Sequence, residues 1–242
     1  NSTPVFIKNT LDLNYQILPA TTQGGTSYRA FVDGTGTVPT GGKKQRVEGM
    51  LVVGANDGML HAFRDGTKDS LGNITNPGGI ETFAYIPNAL LPSIKKLADK
   101  AYVHQYYVDG PLTETDVFLP NAGRWANIVM GSTGGGAGVA ASSSSSPRTG
   151  VFAINMTSMN NSTTGLDASS VLWEVGSGVT GFEEVGYVLV EPEAGPTVSG
   201  DWVAIFGNGY NGGAGTTASL FIVNLDTGAL IKELVEIGRA HV

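Results

Sequence analysis

Short apolar runs alternate with glycine-rich turns along most of this chain. Three of these runs end in a glycine that enters a Gly/Asn loop: Leu51–Gly54, Ile128–Gly131 and Ala204–Gly207. After each loop a second apolar run follows: Leu60–Phe63, Val151–Asn155 and Leu220–Asn224. Glycine and asparagine accept the positive φ that a tight turn between antiparallel strands requires. Each pair of runs is therefore predicted to form a β-hairpin.

The hairpins recur at a nearly constant period, since Gly54, Gly131 and Gly207 lie 77 and 76 residues apart. A further apolar run follows each hairpin, at 82–86, 171–175 and 229–234, and the second and third hairpins are preceded by strand-like runs at 109–113 and 194–198. A meander of four antiparallel strands that repeats along a chain is the blade of a β-propeller. The pattern predicts an all-β, partial propeller of the quinoprotein-like kind, with about three four-stranded blades.

The predicted blades cover roughly residues 48–87, 106–176 and 186–235. Residues 1–47 are less regular and are interpreted as an irregular segment that supplies an outer strand or connects from a preceding domain. The period is longer than the 40–50 residues of common propeller repeats, so long loops are expected. We predict a glycine- and serine-rich hairpin tip at 134–147 and a polar surface excursion at 155–170.

A short helical insertion is predicted between the first and second blades. Leu90, Leu91, Ile94 and Leu97 follow helix-like spacing within residues 88–100. Pro92 would lie in the first turn of this helix, where the missing N–H costs nothing.

Composition supports the all-β prediction, because only 14% of the residues are charged while 41% are hydrophobic and 35 are glycine. The net charge of −7 argues against nucleic acid as a partner, since phosphates require a basic surface. Lys43, Lys44 and Arg46 form the one dense basic cluster and are interpreted as a solvated loop. The absence of cysteine excludes disulfides and thiolate chemistry, and no apolar run is long enough for a membrane-spanning helix.

Both ends of the chain are interpreted as cut. Residues 236–242 break the preceding pattern and match the peptide obtained by translating a common sequencing adapter. We therefore interpret 236–242 as a non-native tail and do not consider His241 a ligand.

Several motifs, in this order, are similar to one family: Val52–Phe63, Phe83–Pro87, Tyr106–Pro111, Phe206–Asn211 and Asp226–Ile231. Together they resemble the C-terminal propeller of the PilC/PilY proteins of type IV pilus systems. The resemblance covers roughly residues 28–235. The first motif by itself would also fit quinoprotein-like propellers, whereas all five in sequence would not.

The resemblance implies a secreted protein at the periplasm, outer membrane or cell surface of a Gram-negative bacterium. Such a protein would support pilus assembly against retraction and contribute to attachment at the pilus tip. The implied partners are pilus components such as minor pilins and a host or abiotic surface. The family is also associated with a calcium loop in a later blade. This sequence contains no Asp-x-Asp-x-[Asp/Asn]-Gly run, so that site is expected beyond Val242 and no cofactor is assigned here.

Two histidines, His61 and His104, are candidates for a ligand or a base. His61 follows the first Gly-rich turn, with Asp57 as the nearest carboxylate in sequence, and we interpret it as a packed or hydrogen-bonded strand residue. His104 is assigned to an aromatic linker between blades. Two histidines so far apart in sequence do not indicate a metal site.

Other polar groups also have structural interpretations. Asn56–Gly58 and Asn208-Gly209 would cradle an anion or simply form tight turns, and the turns are favoured. The run 65–70 offers oxygens at alternating positions but lacks the bidentate acid of a calcium loop. Two pairs of neighbouring glutamates are interpreted as solvated: Glu183 with Glu184, and Glu191 with Glu193. The tryptophans are expected to fill space between sheets: Trp125, Trp173 and Trp202. No catalytic, cofactor-binding or metal residue is therefore assigned.

Two functions from different classes follow. The first is a non-enzymatic binding and scaffold module that presents loops on a rigid frame. The alternative is a fragment of a quinone-dependent dehydrogenase, a class that also uses tryptophan-marked propellers. An isolated set of blades would leave terminal sheet faces uncovered, so marginal stability is expected for the chain alone.

Overall fold

A computed structural model of the chain describes residues 2–8, 10–35, 49–136, 148–158, 165–210 and 217–235. It contains three four-stranded antiparallel sheets that correspond to the predicted blades. Blade 1 comprises β1 (Val5–Ile7), β2 (Met50–Gly54), β3 (Leu60–Arg64) and β6 (Ile80–Tyr85); β4 (Thr67–Lys68) and β5 (Ile74–Asn76) form a small hairpin between β3 and β6. The prediction of an all-β partial propeller is confirmed.

Blades 2 and 3 repeat the same strand order. Blade 2 comprises β7 (Leu112–Leu119), β8 (Arg124–Ser132), β9 (Val151–Asn155) and β10 (Val171–Val175). Blade 3 comprises β11 (Glu193–Pro196), β12 (Trp202–Gly207), β13 (Ser219–Asn224) and β14 (Leu230–Val235). Consecutive strands are hydrogen-bonded neighbours throughout both sheets, which is the pattern that a propeller meander requires.

A short part of the segment 1–47 forms a strand. Val5–Ile7 pairs with β2 over three residue pairs and provides the first, edge strand of blade 1. Of the two interpretations of this segment, the structure therefore shows the strand. A run of only three residues is too short to give a periodic signal, and for that reason the sequence did not locate it.

The described part of the β1–β2 connection packs against blades 2 and 3. It contains 3₁₀ helices at Tyr15–Ile17 and Gly25–Ser27 and a short helix α1 (Tyr28–Asp33). Tyr28 and Val32 of α1 belong to the same buried cluster as Trp125 of blade 2 and Trp202 of blade 3. The connection thus completes the core between these blades.

The predicted helical insertion is confirmed between blades 1 and 2. It consists of a 3₁₀ helix at Asn88–Leu90, a helix α2 (Leu91–Ile94) and a 3₁₀ helix at Lys95–Ala98. Pro92 lies at the start of α2, as its missing N–H favours. A further 3₁₀ helix, Ala168–Ser170, precedes β10 and is capped by Asp167.

Two hydrophobic clusters hold the blades together. One lies between blades 1 and 2 and includes Met50, Leu60, Leu112 and Phe152. The other lies between blade 2, blade 3 and the β1–β2 connection. Blade 2 is thus covered on both faces, which explains why eight of the nine residues of β8 are buried.

Three sequence interpretations lie wholly or largely outside the described residues. They concern the basic cluster at Lys43, Lys44 and Arg46, the glycine- and serine-rich run at 134–147, and the tail at 236–242.

Candidate functional site

His61 contacts two carboxylates from different parts of blade 1. Its Nε2 lies 2.9 Å from Oδ2 of Asp57, in the β2–β3 turn, and its Nδ1 lies 2.6 Å from Oε1 of Glu81, on β6. The ring also stacks on Phe63, with the ring centroids 5.9 Å apart. The interpretation of His61 as a hydrogen-bonded strand residue is confirmed, and the structure adds Glu81 as a second partner.

His104 contacts Asn56, a residue of the same turn that carries Asp57. Nε2 of His104 lies 3.1 Å from Nδ2 of Asn56, and its ring makes an edge contact with Tyr106. Gly58 has a φ of +94° and Asp57 accepts a hydrogen bond from the amide of Met59, so this segment is a tight turn. Both histidines therefore contact residues of one turn, although they are 43 positions apart in the sequence.

In the run 65–70, the carboxylate of Asp69 is engaged by donors of its own loop. The carboxylate of Asp69 accepts hydrogen bonds from the amides of Leu71 and Asn73 and from the side-chain amide of Asn73. These donors lower the pKa of Asp69, with the Asn73 side chain contributing most. Its oxygens thus close the loop between β4 and β5 and are not directed to a common cation.

Two of the three tryptophans, Trp125 and Trp202, meet at the β1–β2 connection. The rings of Trp125 and Trp202 lie 5.1 Å apart in an edge-on arrangement, and Tyr15 contacts both. Each indole N–H donates to a backbone carbonyl of the connection, Trp125 to Gly24 at 2.9 Å and Trp202 to Gln23 at 3.0 Å. Both rings are packed between elements and their N–H groups are hydrogen-bonded, so they fill space as predicted from the sequence.

A buried polar network joins α1 to blade 2, and the sequence analysis did not identify it. Tyr28 donates to Oδ2 of Asp116 at 2.7 Å, and the side-chain amide of Asn127 donates to Oδ1 at 2.9 Å. Burial, and then the charge of Asp116, raise the pKa of Tyr28, so its hydroxyl remains a donor. Tyr28 and Asp116 are 88 positions apart, and no local pattern connects them.

Glu174, on the last strand of blade 2, links that blade to the connection that leaves blade 1. Its carboxylate accepts hydrogen bonds from the hydroxyl of Tyr85 and from the amides of Asn88 and Ala89, the latter two at 2.7 and 2.8 Å. Burial, and then the charge of Glu174, raise the pKa of Tyr85. One carboxylate therefore satisfies three donors across the junction.

Replacing Glu174 by alanine should lower the free energy of unfolding by about 2 kcal/mol, because hydrogen bonds to a charged group contribute about 1.5–3 kcal/mol and these are partly exposed to water. Amide hydrogen exchange at Asn88 and Ala89 should become faster. Glu183→Ala is the matched control, because this exposed carboxylate accepts only a local bond from Gly181. Equal stability losses in the two variants would contradict the assigned role.

Several of the exposed apolar side chains lie in the connections between blades, and one lies in the β12–β13 loop. Val103 and Tyr106 lie in the first connection and Leu189 and Val190 in the second, and each is more than half exposed. Tyr210, at the start of the β12–β13 loop, is 75% exposed and pairs through its backbone with Tyr187. We refer to these five side chains as the connector residues; exposed apolar groups on loops that a rigid frame holds are typical of contact sites.

Within the described ranges, no group of three or more histidine or acidic residues is arranged to hold a metal ion. No helix in that part of the chain combines the length and the apolar character needed to cross a membrane.

The comparisons with known proteins all point to one protein family. A family model described as the PilY1 beta-propeller domain matches residues 12–242. The type IV pilus biogenesis factor PilY1 homolog of Xylella fastidiosa is 40% identical over 184 residues, which are 76% of this chain and 10% of that protein. The type IV pilus biogenesis factor PilY1 of Pseudomonas aeruginosa PAO1 is 32% identical over 245 residues, with 100% of this chain and 17% of the relative covered.

A solved structure is similar over nearly the whole chain. The crystal structure of the Pseudomonas aeruginosa PilY1 C-terminal domain matches with a TM-score of 0.61 and 28% sequence identity, over 98% of this chain and 38% of that one. The chain therefore spans less than a fifth of the two curated relatives described above and about two fifths of the crystallised domain.

Proposed function

The chain belongs to the PilY1 β-propeller family, and from that membership we propose that it is a non-enzymatic propeller module of a type IV pilus biogenesis factor. In this role the module supports pilus assembly against retraction and contributes to attachment at a surface. The family match over residues 12–242 is the observation that carries the proposal. A protein of this kind acts outside the cytoplasm, in the periplasm, at the outer membrane or on the surface of a Gram-negative cell.

The proposed partners are pilus components such as minor pilins, together with a host or abiotic surface. The connector residues support this choice, because the segments that carry them are hydrogen-bonded to the blades at nearby positions. Ser132 donates to the carbonyl of Val188 at 2.7 Å, and the amide of Val108 donates to the carbonyl of Ala55 at 3.3 Å. Segments fixed in this way lose little conformational entropy when they bind a partner.

The dehydrogenase alternative gains no support from the relatives, which are named as pilus biogenesis factors. In the proposed role the polar groups serve the architecture: Asp116 and Glu174 tie elements together and His61 bridges two parts of one blade. The calcium loop associated with the family remains a prediction for sequence beyond Val242.

Deleting residues 50–235 from the parent protein in its native host should abolish surface pili, which can be measured in sheared pilus fractions. If the module opposes retraction, the pili should return when the retraction motor is also disabled. Unchanged piliation after the deletion would contradict a role in assembly. Quinone-dependent alcohol oxidation by the purified parent protein would instead favour the dehydrogenase.

A further inference from the structure

His61 is engaged on both ring nitrogens by carboxylates that belong to separate elements. Asp57 belongs to the β2–β3 turn, and Glu81 belongs to β6, the last strand of blade 1. A neutral imidazole has one N–H donor, whereas the imidazolium has two. Both bonds can therefore be donated by His61 only when the ring is protonated.

The surroundings of the ring favour that protonated state. Burial of this side chain, which is 13% exposed, lowers the pKa of His61, but the hydrogen bonds and charges of Glu81 and Asp57 together outweigh burial and raise the pKa above its ordinary value. From the turn the charged group facing the ring is Asp57, and from β6 it is Glu81. The ring also stacks on Phe63 of β3, which carries no charge.

The turn that His61 holds is also a contact point for the next blade. The carbonyl of Ala55 accepts from the amide of Val108, which leads into blade 2, and Asn56 contacts His104 of the same connection. Gly58 packs so closely on Ile94 of the helical insertion that a Cβ there would lie 2.1 Å from its Cδ1. A displacement of this turn is thus transmitted to the junction between blades 1 and 2.

We propose that His61 is a pH-dependent clasp that ties β6 to the β2–β3 turn when protonated and releases one of them when it loses its proton. The junction between blades 1 and 2 is then firmer in mildly acidic surroundings than in alkaline ones. This inference concerns the folded chain itself and does not depend on the proposed role in pilus assembly.

The direction of the pH dependence follows from linkage. Because the folded-state pKa lies above the unfolded value of about 6.5, the stabilisation is fully present below pH 6.5 and is lost as the pH rises through the folded-state pKa. Across that window the unfolding constant should rise about tenfold for each pH unit by which the folded value exceeds the unfolded one.

The test combines NMR titration of the histidine rings with thermal and urea unfolding of the whole chain between pH 5.5 and 9. The ring of His61 should titrate above pH 6.5, and the stability of the wild type should fall across its titration. His61→Gln should remove most of that fall. His104→Gln is the matched control, because it alters the other histidine beside the turn and should keep the pH dependence.

Glu81→Gln keeps the experiment decisive if His61→Gln does not fold, since it leaves the ring in place and should bring the titration of His61 closer to pH 6.5. Titration of His61 at or below pH 6.5 in the wild type would overturn the proposal. So would a His61→Gln variant whose stability depends on pH as strongly as that of the wild type.

Discussion

Replacing Trp202 by alanine should lower the free energy of unfolding of this chain by about 3–5 kcal/mol, the usual cost of truncating a buried large aromatic side chain. The ring is 1% exposed and packs against Trp125 and Tyr15. Its N–H also donates to the carbonyl of Gln23. The substitution would thus open a cavity at the point where blade 2, blade 3 and the β1–β2 connection meet. Urea unfolding followed by circular dichroism would measure the loss.

The control is Tyr210→Ala, which removes another large aromatic side chain from blade 3. Tyr210 is 75% exposed, so its removal should change the free energy of unfolding by no more than about 0.5 kcal/mol. A loss below about 1 kcal/mol for Trp202→Ala would show that the connection does not close the core between these blades.

The sequence predicted one half of this aromatic cluster. Trp125 and Trp202 occupy equivalent places in two repeats, and the period alone indicated that both rings would fill space between sheets. The other half comes from Tyr15 and Tyr28, in a connection whose helices are three to six residues long. Such short elements carry no periodicity, so their docking depends on tertiary contacts that no local pattern records.

Polar contacts between residues close in the sequence could likewise be predicted, whereas contacts between distant residues could not. Asp57 lies four positions before His61, and the sequence identified it as the nearest carboxylate. Glu81 reaches the same ring only because the β3–β6 pairing shifts register between Ala62 and Phe63. Bulges of this kind redirect side chains, and their position depends on the packed sheet.

Two Gly-Pro pairs that look alike in the sequence have different surroundings in the structure. Gly110-Pro111 directly precedes β7 of blade 2, whereas Gly195-Pro196 ends β11, the corresponding strand of blade 3; in the sequence the two pairs look equivalent. In the structure a Cβ on Gly110 would lie 2.0 Å from Oγ of Ser132, whereas a Cβ on Gly195 would meet no atom within 4 Å. Glycine is therefore sterically required at position 110 of blade 2 but not at position 195 of blade 3.

This difference leads to a matched pair of variants. Gly110→Ala should destabilise the chain by about 1–3 kcal/mol, because the methyl group would also lie 2.5 Å from the backbone carbonyl oxygen of Ser132 and 2.8 Å from the amide nitrogen of Gly134. Backbone atoms cannot rotate away as a side chain can, so the β7–β8 pairing must shift to relieve the overlap. Urea unfolding and the intensity of near-ultraviolet dichroism would report the change.

Gly195→Ala should instead be neutral or stabilising by about 0.4–1 kcal/mol, since the backbone there has no positive φ and alanine reduces the freedom of the unfolded chain. Gly110 likewise has no positive φ, so neither site carries positive-φ strain, although Gly195 lies inside β11 and Gly110 precedes β7. If both variants lost stability equally, the Gly-Pro pair would have to act through its local conformation. A loss confined to Gly110→Ala would assign the requirement to packing of the Asp109-Gly110-Pro111 turn against the end of β8.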